Sequence, residues 1–187
     1  MPVLKNNDDA VGQSTAIYLY LALENGLAGD SNLQTAQVIS IFEHVKEMIT
    51  AYRSLVPAGT EPTAEATEKW FNGGATDVTG TADSSQRSSR YLKWWMGRIE
   101  EALDNSGYAV GNKISAADVA LYYTFAEELK SEEASEGFPQ WRREPFASKS
   151  LVQAALPQYP KLKASIDAVA NNENFQKWLT MRGPQAF

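Results

Sequence analysis

Seven apolar residues fall at helical spacing inside this 187-residue chain: Val38, Ile41, Phe42, Val45, Met48, Ile49 and Tyr52. Their intervals of three and one repeat for about four turns. A strand cannot use that pattern, because its period of two would scatter the set over both faces. The stretch is therefore a long amphipathic helix. Asp30-Ser31 supplies its N-cap, and Pro57 stops it. A helix with one long apolar stripe folds stably only when other helices cover the stripe. This predicts a helical bundle.

The rest of the chain supplies the partners. Ala16, Ile17, Leu19, Tyr20 and Leu23 repeat at helical spacing behind Ser14, read as an N-cap, and stop at Asn25-Gly26. Thr63 to Phe71 reads as a short helix with Trp70 and Phe71 as an apolar plug. A third long helix runs from about Ser84 to Leu103, with Tyr91, Leu92, Trp95 and Ile99 on one face and Trp94 at the boundary or in an interface. Further helices are expected from Val119 to about Leu129, Ala147 to Ala155, Lys161 to Ala170 and Glu173 to Thr180. The stretch before Ala147 reads as an acidic, polar loop. Only the first twelve residues carry strand signals: Met1 to Leu4, a turn at Asn6 to Asp9, then Ala10-Val11.

Composition removes whole classes of function. The net charge of −6 disfavours a nucleic-acid partner or an anionic membrane surface. With no cysteine, disulfides, thiolate catalysis and cysteine-based metal sites are excluded. His44 is the single histidine, so no metal site is expected. The residues after Met1 do not form a signal peptide, and no apolar run is long enough for a membrane span. A cytoplasmic location, or an organellar stroma or matrix, is the expectation.

Ser115-Ala-Ala-Asp118 is a capping box, with Ile114 and Val119 placed as a hydrophobic staple. Its reading is structural. The box combines with Gly111 upstream, with Tyr159-Pro160-Lys161-Leu162, and with Asn174-Phe175-x-x-Trp178-Leu179 near the end. Met1-Pro2-Val3-Leu4, Gln13-Ser14-x-Ala16-Ile17-x-x-Tyr20-Leu21-Ala22 and Gly26-Leu27-Ala28-Gly29 precede them. In that order these segments resemble the cytosolic glutathione transferases, and the QSxAI segment has a sigma-like look. The resemblance implies a mainly α fold. Residues 30–187 would be the helical C-terminal-type bundle, and residues 1–29 a truncated remnant of the thioredoxin-like glutathione-binding domain.

The same resemblance implies roles. Pro2 would form a cis peptide bond that presents the Val3 backbone to glutathione, and Gln13 and Ser14 would grip its γ-glutamyl group. Glu47 would reach the glutathione of a neighbouring subunit, while Tyr52, Arg53 and Val56 would line the hydrophobic substrate site. Glutathione would be a cosubstrate, with no other cofactor, and the second substrate a small electrophile. The catalytic hydroxyl of the family is expected upstream of Met1, so no catalytic residue is assigned. Leu19 stands where the family often has an arginine that supports its dimer, and residues 57–83 are long for their connection. These departures favour an alternative: a non-catalytic scaffold subunit of a larger assembly. The partner is then either a second copy or a heterologous protein covering the N-terminal strand edge.

Overall fold

The computed structural model describes residues 2–73, 91–127 and 139–182. It is mainly α, with one antiparallel hairpin at the start. Strands β1 (Val3–Asn6) and β2 (Asp9–Gly12) pair in the register Val3↔Gly12 through Asn6↔Asp9. Asn7-Asp8 forms the two-residue turn, and Asn7 takes the left-handed backbone (φ 54°) that such a turn requires. The strands lie slightly later than the sequence reading placed them. Met1, and with it the bond preceding Pro2, lies outside the described residues, as does the predicted helical stretch 84–90.

Helix α1 (Ser14–Glu24) follows directly. Ser14 is not its N-cap, as the sequence reading had it, but its first helical residue. Gln13 occupies the cap position at φ 69°, and its carbonyl accepts from Ile17 N at 3.0 Å. The two-residue turn fixes where β2 ends, which leaves Gln13 alone to reverse the chain into the helix.

Helix α2 (Asn32–Leu55) is the predicted long helix. Ser31 Oγ accepts from Gln34 N at 3.2 Å, and Gln34 Oε1 accepts from Asp30 N at 2.6 Å, a reciprocal cap. Gly29 lies against this cap at φ 88°, and a Cβ there would meet Gln34 Cβ at 2.5 Å, so no side chain fits. Val38, Ile41, Phe42, Val45, Met48 and Tyr52 of the stripe are buried; Ile49 lies at its edge.

Helices α3 (Ala64–Asn72), α4 (Leu92–Ala102), α5 (Ala116–Phe125), α6 (Gln140–Arg143), α7 (Lys149–Ala155), α8 (Pro160–Ala170) and α9 (Glu173–Met181) complete the described bundle. Trp70 and Phe71 plug the core as expected, and Trp95 is buried. Trp94 is a half-buried boundary residue, its ring edge-on to Trp95 at 4.8 Å with the Arg98 guanidinium 5.5 Å from its centroid. One apolar cluster runs through α2, α3, α4, α5, α7 and α8, with Ala109 and Val110 closing it from a loop. No described helix is long and apolar enough to cross a membrane.

Two polar anchors set the helices against one another. The Ser115–Asp118 capping box starts α5. Asp118 Oδ2 accepts from the Ser115 amide at 2.8 Å and its hydroxyl at 2.7 Å. Asp118 Oδ1 accepts from Ala109 N and from Ser165 Oγ on α8, both at 2.7 Å. The second anchor joins α4 to α8. Glu100 accepts from the amides of Lys161 at 3.0 Å and Leu162 at 2.8 Å, capping α8 from another helix. Lys161 Nζ returns to the carbonyl of Leu103 at 2.8 Å, where α4 ends.

His44 on α2 lies 3.4 Å from Arg98 Nε, across the α2–α4 contact. Burial, then the Arg98 charge, lower its pKa below the ordinary 6.5, while Glu47 pulls the other way. The folded chain therefore binds fewer protons here than the unfolded chain once pH falls below 6.5. The stability this group contributes is whole above that value and is lost as pH falls toward the lowered one. Urea midpoints at about pH 7.5 and 5.5 test this: the fall should be smaller in His44→Gln than in the parent chain. An equal fall in both would remove His44 from the account.

Candidate functional site

The hairpin register does the first part of the assembly. Val3 pairs with Gly12, and Gln13 and Ser14 follow Gly12 at once. Residues nine apart in the chain are thereby paired, with Cα atoms about 4.5–5.5 Å apart, and Gln13 follows directly beside Val3. Gln13 holds a left-handed backbone although it has a side chain, a strain that concentrates at functional positions. The Gln13 side chain makes no capping hydrogen bond to α1 among the described residues. The first-turn amides of α1, with the positive end of the helix dipole, form a ready anion site beside Ser14.

Ser14 also begins an apolar depression of about 600 Å³ between α1, α2, α5 and α9. Phe42, Val45, Tyr18, Val119 and Phe175 supply much of its wall. A second cavity, of about 450 Å³, opens where α2 and α5 meet the segment 141–147. Ile49, Tyr123, Thr124 and Glu127 line both spaces, so the two share a wall.

Tyr52, Arg53 and Val56 all line the second cavity, as the sequence reading placed them together. Tyr52 is buried, and burial pushes its hydroxyl pKa up against the opposing charge of Arg53. It stays a neutral phenol at physiological pH, able to donate a hydrogen bond but not to act as a base. Glu47 lines neither space; it is exposed on α2. Ser115 and Asp118 also lie outside both and act in the structural anchor.

Sequence reasoning missed one wall. Residues 139–146 fall in the stretch whose polarity reads as loop, and Ala147 in the helix expected over 147–155, yet residues 140–143 form α6 and Pro145–Ala147 a 3₁₀ turn. Trp141, Arg142, Arg143 and Phe146 from this stretch line the cavity. The available signal was a run of aromatic and basic residues following an acidic segment. Phe146 (φ 48°) and Ala147 (φ 60°) both carry left-handed backbone. The Phe146 ring holds the turn in place, 5.2 Å from Tyr52 and 5.3 Å from Trp70. An alanine pays roughly 1–2 kcal/mol for left-handed backbone, against a smaller entropic cost for glycine. Ala147→Gly is therefore expected to raise stability by about 0.5–1 kcal/mol, read as a higher urea midpoint. A lower midpoint would show that the turn is not strained.

The C-terminal domain profile of the glutathione S-transferases matches residues 75–182, more than half of the chain. The chain belongs to the glutathione S-transferase superfamily. Its mainly helical bundle agrees with that assignment. It is 26% identical over 186 residues to glutathione S-transferase 1 of Ascaris suum, covering 97% of this chain and 73% of that protein. It is 23% identical over 184 residues to a probable glutathione S-transferase 7 of Caenorhabditis elegans, with the same coverage. Solved structures share the fold. A glutathione S-transferase of Caenorhabditis elegans superposes with a TM-score of 0.63 at 20% identity, over 100% of this chain and 75% of that one. One from Ascaris lumbricoides gives 0.61 at 24%, over 100% and 76%. Among the described residues of this family member, no group of three or more His, Asp or Glu side chains gathers as a metal site.

Proposed function

We propose that this family member binds glutathione through Pro2, Val3, Gln13 and Ser14 and serves the family reaction, attack of the glutathione thiolate on a small electrophile. Residues 1–29 supply the peptide-binding half of the site, and residues 30–187 supply the electrophile cavity. The observation that carries the reading is the Val3↔Gly12 pairing, which sets an exposed backbone edge beside the uncapped start of α1. Such an edge offers N–H and C=O groups to a peptide ligand, and the helix start attracts its carboxylate. Tyr52, Arg53 and Val56 receive the electrophile in the neighbouring cavity. No described residue is assigned to activate the sulfur.

Calorimetric titration with glutathione tests the half-site. Binding is expected, and Gln13→Ala and Ser14→Ala should each weaken it by about tenfold, the worth of one hydrogen bond to a charged group. No heat, together with no retention on a glutathione resin, would sink the reading. Turnover of a chlorodinitrobenzene-type electrophile tests the reaction itself.

A second reading has its own observation. Tyr18 (55% exposed), Leu21 (43%), Tyr123 (56%) and Trp178 (48%) surround the larger depression and leave apolar surface uncovered among the described residues. Among the described residues the two-stranded hairpin also has open outer edges. Both features suit a subunit that docks against another protein or a second copy. Sedimentation distinguishes them: a homodimer supports the enzyme reading, with Glu47 acting on the neighbouring subunit's glutathione. A monomer that neither binds nor conjugates glutathione supports the scaffold.

A further inference from the structure

The two cavities adjoin along one wall, and on the proposed function the reactants meet there. Glutathione gripped at Gln13 and Ser14 would lie at the start of the larger depression, and the electrophile in the smaller cavity. A bond between them forms where the two spaces join, with the reacting atoms about 3–3.5 Å apart. Four described residues line both spaces: Ile49, Tyr123, Thr124 and Glu127.

One of the four can offer a proton to a ligand. Ile49 is apolar. Thr124 is buried, and its hydroxyl donates to the carbonyl of Ala120 at 2.7 Å, within α5. Glu127 is an acceptor as a carboxylate, and it is held in an ion pair with Arg182 in which both side chains are less than a tenth exposed. The Tyr123 hydroxyl has no hydrogen-bond partner among the described residues, and the residue is 56% exposed. Tyr123 stands three residues after Ala120 and seven after Ala116, so the three share one face of α5. Both alanines line the larger depression too, so the neighbours of Tyr123 on its own face are small. A phenol stays protonated through the physiological pH range and can donate throughout it.

We infer that Tyr123 is a catalytic residue on the electrophile side: its hydroxyl donates a hydrogen bond to the carbonyl oxygen of a conjugated carbonyl compound as the glutathione sulfur adds to that compound. The inference rests on the transferase reading above and names an electrophile class that the reading leaves open. In the step, sulfur forms its bond to the β carbon, the C=C π pair shifts toward the carbonyl, and the negative charge of the thiolate ends on oxygen as an enolate. A proton from water then goes to the α carbon. The oxygen carries more charge in the transition state than in the bound substrate, so a donor placed there lowers the barrier instead of only tightening binding. Benzyl chloride has no oxygen to accept such a bond, and its chloride departs on the side away from sulfur. It gains nothing comparable from the phenol.

The test compares benzylideneacetone, a conjugated ketone, with benzyl chloride, each with the whole chain at saturating glutathione and the solution rate subtracted. In Tyr123→Phe, kcat for benzylideneacetone should fall at least about tenfold with KM little changed, because the bond is made mainly in the transition state. Turnover of benzyl chloride should stay within about twofold of the parent, as should glutathione affinity by calorimetry. Retention of both rates, or an equal loss of both, would overturn the inference and leave the transferase reading standing. So would a loss confined to KM, which a tyrosine that only packs against the substrate would give, or a parent chain that converts benzyl chloride alone. A parent chain that converts neither electrophile above the solution rate sinks the transferase reading, and the inference falls with it. Should Tyr123→Phe fold less completely, the benzyl chloride rate and the glutathione stoichiometry of the same sample report the folded fraction, so the corrected rate still decides.

Discussion

Asp118→Ala is expected to lose about 3–5 kcal/mol of folding stability, the largest effect of any single polar substitution proposed for this chain. The carboxylate is fully buried and accepts four hydrogen bonds from three places: Ser115, Ala109 and Ser165. Removing it strands four donors in the protein interior, and each buried unsatisfied group costs about 1–3 kcal/mol, less than additively. It also unties α5 from α8, between which the Ser165 bond runs. Asp118→Asn keeps the shape and one acceptor oxygen but turns an NH₂ group toward donors. Its loss should be smaller, about 2–3 kcal/mol. Urea denaturation checks both, and a loss under about 1 kcal/mol in the alanine variant would refute the anchoring role.

Trp70→Ala should cost about as much, 3–5 kcal/mol, but by a different route. Trp70 is fully buried, with its ring 5.2 Å from Tyr52 and 5.3 Å from Phe146. Truncation leaves a cavity behind two residues that wall the candidate substrate site. The Trp70 indole nitrogen has no hydrogen-bond partner among the described residues, so Trp70→Phe orphans no acceptor. The phenylalanine variant should lose only about half as much, through volume alone. The alanine variant should also bind aromatic dyes in the smaller cavity more weakly, because Tyr52 and Phe146 lose their backing. Equal losses in the two variants would show that the indole ring, rather than its bulk, is what matters.

The structural expectations that come from local spacing hold in detail. The stripe from Val38 to Tyr52, the cap at Ser31, the plug at Trp70-Phe71 and the box at Ser115–Asp118 all involve residues within about a turn or one face of a helix. Backbone geometry fixes those distances before any packing occurs. The approach of Val3 to Gln13 was also partly legible, because the Asn/Asp cluster marks a tight turn that determines the pairing. Ser14 was misplaced by one position, since Gln13 took the cap through a backbone conformation that side-chain preference does not reveal.

The sequence by itself thus determined the longer described helices, where most of them start, and that their apolar faces require one another. Only the tertiary structure decided that Ser165 and Ala109 complete the shell of Asp118, that Glu100 caps α8, and that Arg142 and Arg143 join Tyr52 and Arg53 around one cavity. These partners lie far apart in the chain or across a bend in it. Their meeting depends on how helices cross and pack, and that is set by the fit of the whole core rather than by any local spacing.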